Sequence, residues 1–220
     1  MIKNLIYDFA GTLAYLQPSK ENILYNYLKK NNCRLKKKKI IEAYYKIDND
    51  LFFSSIKINN KNEKKLFYHR YNRKLFKLLN LRNLQLSDNY YAYFVNLNKV
   101  WKIEARVKKF LLKKKRKFNL YMISNFDNSL IHILKDNKIF NLFNHVAISK
   151  KYKLEKPNTK FFLEFFKRTN TNINESVYFG DNYFLDFVPA KKIKLKVFMV
   201  DKNNLLKKKI RKIKNICNYK

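Results

Sequence analysis

Glycine is almost missing from this sequence. It occurs twice in 220 residues, at Gly11 and Gly180, where average usage near ~7% would give about fifteen. A chain that avoids the residue yet keeps it at two places needs its freedom there, because glycine tolerates φ > 0 and lets a backbone approach a ligand closely. Cysteine is equally scarce. Cys33 and Cys217 stand alone, with neither the density of a disulfide framework nor the spacing of a metal site, so both classes are excluded and a reducing, cytoplasmic setting is expected. No apolar run approaches the ~18 residues of a membrane span. An apolar strand begins almost at the first residue, so no secretory leader is expected either.

Negative charge is the third shortage. Sixteen acidic residues face 50 basic ones, for a net charge of +34. Such a surface attracts polyanions, but its composition argues against a dedicated nucleic-acid site. The cations are 42 Lys and only 8 Arg, whereas base recognition favours the planar, bidentate guanidinium. Lys, Asn, Ile, Phe and Tyr, all with AT-rich codons, are abundant together. The charge is therefore read as genome composition, with nucleic acid bound only nonspecifically through net charge. It would still draw in a phosphorylated substrate.

What the chain does have is material for a core: 46% apolar and 16% aromatic residues, enough for one large domain or a core domain with an insert. After a strand over residues 2–8, Ser19 is placed to cap a helix. Helical spacing then runs to about residue 98. Its stripes are Ile23, Leu24, Tyr27 and Leu28; Ile40, Ile41, Tyr44, Tyr45 and Ile47; Phe67, Tyr71, Leu75, Leu78 and Leu79; and Tyr90, Tyr91, Phe94 and Val95. From residue 102 the grammar changes to alternation: a helix over 102–116, a strand 118–123, a helix 128–137, a strand 146–148, a helix 158–169, a strand 177–179, a helix near 184–192 and a strand 197–200. Strands alternating with helices of about ten residues mean a parallel sheet covered by helices. The Lys-rich tail 202–220 reads as a fraying surface helix.

The chemistry gathers where apolar runs end in carboxylates. Leu5-Ile6-Tyr7 runs into Asp8, followed by Ala10, Gly11 and Thr12; Val177-Tyr178-Phe179 runs into Gly180 and Asp181. Strands that stop this way deliver side chains to the carboxyl edge of a sheet, where open α/β folds bind ligands. His69, His132 and His145 are scattered and read as structural or surface residues. Phe52, Phe53, Tyr68 and Tyr71 read as helix core rather than pocket lining.

Asp8-Phe9-Ala10-Gly11-Thr12-Leu13, Ile123-Ser124-Asn125, Lys156-Pro157, and Gly180-Asp181 with Asp186 resemble, in order, the four motifs of the haloacid dehalogenase-like (HAD) hydrolase superfamily. The resemblance spans nearly the whole chain. It implies a Rossmann-like α/β core over residues 1–16 and 99–220, with a helical cap inserted at 17–98. It implies Mg²⁺-dependent hydrolysis of a small phosphorylated metabolite, with Asp8 as nucleophile forming an aspartyl-phosphate and Lys156 neutralising charge. Thr12, Ser124, Asn125 and Lys156 would bind the phosphoryl group. Asp8, the Ala10 carbonyl, Asp181 and Asp186 would hold the metal. The active protein would be a monomer or dimer.

Three positions depart from the pattern. Lys153 and Pro189 replace glycines, so a less tight turn is expected at Lys153. Ala10 stands where family phosphatases carry a second aspartate, the general acid and base. Three explanations follow: a phosphatase using another acid or an easily departing group such as that of an acyl phosphate; a phosphonoacetaldehyde hydrolase-like C–P bond hydrolase; or a catalytically impaired binding protein. Haloacid dehalogenases proper also lack that aspartate, but they lack the Gly-Asp pair too, and Gly180-Asp181 argues against that branch.

Overall fold

The computed structural model describes residues 1–56, 58 and 60–219. The chain forms two compact units, Met1–Tyr15 with Trp101–Lys220, and Leu16–Val100.

In chain order the elements are β1 (Asn4–Tyr7), β2 (Tyr15–Gln17), α1 (Lys20–Lys30), α2 (Lys37–Asp48), α3 (Leu51–Ser55), α4 (Lys61–Leu78) and α5 (Leu84–Asn96). They continue with β3 (Val100–Lys102), α6 (Ala105–Lys115), β4 (Asn119–Ser124), α7 (Ser129–Asp136), β5 (His145–Ile148), α8 (Ser149–Tyr152) and α9 (Thr159–Thr169). The last are β6 (Ser176–Gly180), α10 (Val188–Lys192), β7 (Lys196–Val200) and β8 (Lys212–Ile213). The short strands β2 and β3 pair with each other where the chain leaves and re-enters the first unit.

The first unit is built on a six-stranded sheet in the order β5-β4-β1-β6-β7-β8, parallel at every pairing. Its central strands are buried on both faces, so they read as continuous apolar runs rather than alternating ones. The pleat then sorts the side chains. Leu5, Tyr7, Leu120, Met122, Val177 and Phe179 point into a cluster with Val107 and Leu111 of α6 and Leu130 and Leu134 of α7. The opposite face carries Tyr121 and Tyr178, whose rings meet Phe165 and Phe162 of α9. That helix buries Phe161, Phe162, Phe165 and Phe166, the i, i+1, i+4, i+5 spacing of a core-facing stripe. The chain walks outward from β1 through β4 to β5, then crosses back to β6 on the other side of β1. This reversal opens a crevice at the carboxyl ends of β1 and β6.

The second unit is helical. Ile23, Leu24, Tyr27 and Leu28 of α1, Ile40, Ala43, Tyr44 and Ile47 of α2, Leu75 and Phe76 of α4, and Leu86 and Tyr90 of α5 share one core. Ser19 caps α1 through the Asn22 amide. Tyr44 and Tyr90 satisfy each other's buried hydroxyls at 2.9 Å, and the Tyr71 hydroxyl donates to Asp48 at 2.6 Å. Phe52, expected in the core, is instead 55% exposed, because α3 is too short to present a second turn to its neighbours. Among the described residues no helix is long and apolar enough to cross a membrane.

The tail departs from expectation. Between residues 202 and 219 there is no α-helix. The Asp201 carboxylate instead accepts the amides of Leu205 and Leu206, each at 2.9 Å, and fixes a turn that buries Leu206. The chain then adds β8 to the sheet edge, and Asn215 caps a turn that drives Ile216 into the core. A helix would have stacked lysines at i, i+3 and i+4, which repel. We expect Ile216→Ala to cost about 2–5 kcal/mol of stability, read from urea unfolding. A frayed tail would give a change near zero.

Candidate active site

Asp8, Ser124 and Asp181 sit at strand ends. Asp8 follows β1 and is pinned by its amide, which donates to the Phe179 carbonyl at 2.8 Å. Ser124 closes β4, Gly180 closes β6, and Asp181 follows at once. Lys156 lies in the loop between α8 and α9. One carboxylate oxygen from each of Asp8, Asp181 and Asp186 lies within 4.8 Å of the others.

Lys156 is buried at the centre of this group. Its Nζ donates to Asp8 Oδ1 at 2.8 Å, to Asp186 Oδ1 at 2.6 Å and to the Tyr178 hydroxyl at 3.1 Å. Those are the three donors an ammonium has. Burial opposes its charge, but Asp186 and Asp8 outweigh that and hold its pKa well above the ordinary lysine range.

The Asp186 carboxylate is also filled. Its Oδ1 accepts from Lys156 and from the Tyr178 hydroxyl at 2.7 Å; its Oδ2 accepts the amides of Asp181 at 3.1 Å and Asn182 at 2.9 Å. A carboxylate offers about four lone-pair sites. Asp186 thus orients Lys156 and the Gly180-Asp181 turn, and direct ligation of a cation by Asp186 would require giving one of these bonds up. The expected helix near 184–192 begins as a π-helical turn, Tyr183–Phe187, which carries Asp186 inward before α10 starts.

Asn125, whose backbone amide is the group expected to reach a phosphoryl oxygen, uses its side chain for another purpose. Its Oδ1 accepts the Lys156 amide and its Nδ2 donates to the Lys156 carbonyl, both at 2.8 Å. The side chain clamps the Lys156 backbone. The turn before it is as tight as a glycine turn: Lys153 takes φ 53°, in the left-handed region. The missing glycine left the geometry intact and moved the strain, roughly 1–2 kcal/mol, onto a lysine.

The two glycines are explained by space. A Cβ on Gly11, whose φ is +77°, would fall 2.1 Å from Asp181 Oδ2; one on Gly180 would fall 2.4 Å from Asp186 Cγ. Each carboxylate packs directly on a glycine backbone. Beside them, the Thr12 hydroxyl is buried with no hydrogen-bond partner, which is costly unless a ligand oxygen completes it. Ala10 lies between these residues in the loop, half-buried and packed on apolar neighbours.

Tyr178 is the site residue that sequence reasoning missed. It bridges Lys156 and Asp186 from within β6, and burial, then Asp186 and Asp8, push its hydroxyl far up. Its signal was a tyrosine two residues before Gly180, on the same face of the strand by the two-residue period.

Three carboxylates converge here, and the buried pair Asp8 and Asp186 share the single positive charge of Lys156. Charges removed from water need balancing partners. A divalent cation with a taste for oxygen ligands meets that need, and the orphaned Thr12 hydroxyl and the Gly11 cradle fit a metal with a bound anion. Without it, burial pushes the Asp8 carboxyl from 3.8 to about 6; Lys156 pulls down, and Asp186 pushes further up.

The chain matches the haloacid dehalogenase-like hydrolase family over residues 5–200. Among solved structures it is similar to the magnesium-bound putative HAD-hydrolase YfnB of Bacillus subtilis, at 18% identity and a TM-score of 0.63, covering 98% of this chain and 95% of that one. It is similar to a HAD phosphatase from Thermococcus onnurineus, at 16% identity and a TM-score of 0.57 over 97% and 94% of the two chains. It is also similar to a 2-haloacid dehalogenase from Pseudomonas syringae pv. Tomato DC3000, at 16% identity and a TM-score of 0.53 over 98% and 95%. No curated protein matches the chain by sequence. At these identities the structures establish the fold.

Two outcomes follow from the geometry. Gly11→Ala should cost about 1–3 kcal/mol through its left-handed backbone and push Asp181 out of the cluster. Unfolding curves and calorimetric Mg²⁺ titration would register both losses; unchanged Mg²⁺ affinity would contradict the packing. The second concerns pH. Asp8 binds its proton more tightly folded than unfolded, so its contribution to stability is whole below the unfolded value of 3.8 and lost as pH rises through about 6. In chelator, the native protein should therefore lose stability relative to Asp8→Asn across that window. Parallel pH profiles would show that Asp8 is not perturbed.

Proposed function

The chain belongs to the haloacid dehalogenase-like hydrolase family, and we propose that within it the protein hydrolyses a small phosphorylated molecule by way of a phosphoryl group carried on Asp8, with Mg²⁺ as cofactor. The observation that carries this reading is the meeting of Asp8, Asp181 and Asp186 at the carboxyl edge of the sheet, with the Lys156 ammonium bonded to Asp8 and Asp186.

Asp8 is the nucleophile. Carboxylate attack on phosphorus divides one hard displacement into two easier ones. Even with its pKa near 6 the carboxylate is mostly ionised at neutral pH. Lys156 holds one of its oxygens and fixes the orientation of the group. Thr12 and Ser124 are assigned as hydroxyl donors to phosphoryl oxygens. Thr12, buried without a protein partner, is the better supported of the two. Asp8, Asp181 and the Ala10 carbonyl would hold Mg²⁺, with Asp186 orienting the turn behind them. When bound, the ion supplies the positive charge that draws a phosphoryl group to Asp8 and lowers the repulsion among the carboxylates. A similar fold carries magnesium in the Bacillus protein. The helical unit inserted after the Asp8 loop is assigned to substrate selection, and the basic surface to attraction of anionic substrates.

Asp8→Asn should lower hydrolysis of an activated phosphate by at least about 10³-fold with an unchanged circular dichroism spectrum. EDTA should stop the reaction and added Mg²⁺ restore it. Full turnover in the variant would remove Asp8 from its role, and turnover in chelator would remove the metal.

A further inference from the structure

Resting on the reading of Asp8 as nucleophile, we infer that this site expels only groups that depart without a proton: the carboxylates of acyl phosphates and comparably acidic phenols or enols, not the alkoxides of alkyl phosphates.

The inference comes from an inventory of protons around Asp8. A leaving alkoxide must be protonated as it departs, and the proton must come from a positioned acid. The Lys156 ammonium has three N–H groups, and each is committed, to Asp8, Tyr178 and Asp186. Tyr178 has one proton, and it goes to Asp186. Asp186 accepts four bonds and has none to give. Asp8 must be unprotonated to attack. Asp181 belongs to the cation cluster. In the loop itself, Ala10 is a methyl group and Gly11 has no side chain. Thr12 and Ser124 are alcohols, no more acidic than the alcohol that would leave. Of the first unit's histidines, His145 meets Tyr152 and His132 is exposed on α7. Among the groups hydrogen-bonded into this cluster, no donor remains for the departing oxygen.

An acyl phosphate needs none. An Asp8 oxygen bonds to phosphorus and the bond from phosphorus to the acyl oxygen breaks. That oxygen keeps the electron pair and departs as a stable carboxylate. Water then attacks the phosphorus of phospho-Asp8. The bond from phosphorus to the aspartyl oxygen breaks, the Asp8 carboxylate is regenerated, and both water protons leave on dihydrogen phosphate. The balance requires no acid in the first step, and the proton acceptor in the second is the departing phosphate itself.

The test is a series of leaving groups with the intact protein and Mg²⁺: acetyl phosphate, p-nitrophenyl phosphate, phenyl phosphate and ethyl phosphate. General acid catalysis contributes about 10²–10⁴-fold, so its absence should show as a steep fall, at least about a hundredfold from acetyl to ethyl phosphate. Intact-protein mass spectrometry gives a second readout: acetyl phosphate should place a phosphoryl group on Asp8, and ethyl phosphate should not. A fall of less than a hundredfold, or phosphorylation by ethyl phosphate, would overturn the inference, because an acid would then be at work. The Asp8→Asn protein separates the two levels. If the native reaction depends on Asp8 and is flat across the series, only this inference falls; if the variant cleaves acetyl phosphate like the native protein, the nucleophile assignment falls with it.

Discussion

A buried lysine between two buried aspartates is the constraint on which the core unit depends. Lys156 brings its charge out of water only because Asp8 and Asp186 meet it at 2.8 and 2.6 Å and Tyr178 takes its third donor. Desolvation of an unpaired ammonium would be prohibitive, so the elements carrying these residues cannot drift independently. They come from β1, the β5–α9 connection and β6, which are brought together by the parallel sheet. The Asn125 clamp on the Lys156 backbone ties in the end of β4 as well. The ion pair and the sheet topology therefore enforce one another.

The second constraint is room. The carboxylates approach so closely that the backbones beneath Asp181 and Asp186 cannot carry a Cβ. This is why a chain that has otherwise shed glycine retains two. Lys153 shows the opposite case. There the backbone is left-handed but the residue is exposed, so a lysine tolerates the conformation at a modest cost. Positive φ alone does not demand glycine in this protein; a carboxylate standing where the Cβ would go does, at Gly11 and at Gly180.

Much of the fold was legible because its signals are local. The apolar runs ending at Tyr7, Ser124 and Gly180 could only be buried strands, and the helical stripes of α1, α2, α4 and α5 follow from a period of 3.6 residues. The tail was not legible. Its lysines suggest a surface helix, whereas the deciding events are the Asp201 carboxylate capturing two amides and the sheet edge accepting β8. Phe52 misled in the same way, since spacing cannot reveal that α3 ends after a turn and a half. Hydrogen bonds to a distant partner leave no periodic trace.

By itself the sequence determined the α/β class, the order of the motifs, the family, and the positions at which carboxylates would emerge from strands, because each of these is written in short-range pattern and spacing. Only the tertiary structure decided what the side chains do on arrival: that the Asp186 carboxylate and the Asn125 side chain are spent on holding Lys156, and that Tyr178 joins them. The reason is physical. A residue's type states which hydrogen bonds it is able to make, but which of them are already taken depends on neighbours up to 148 positions away along the chain.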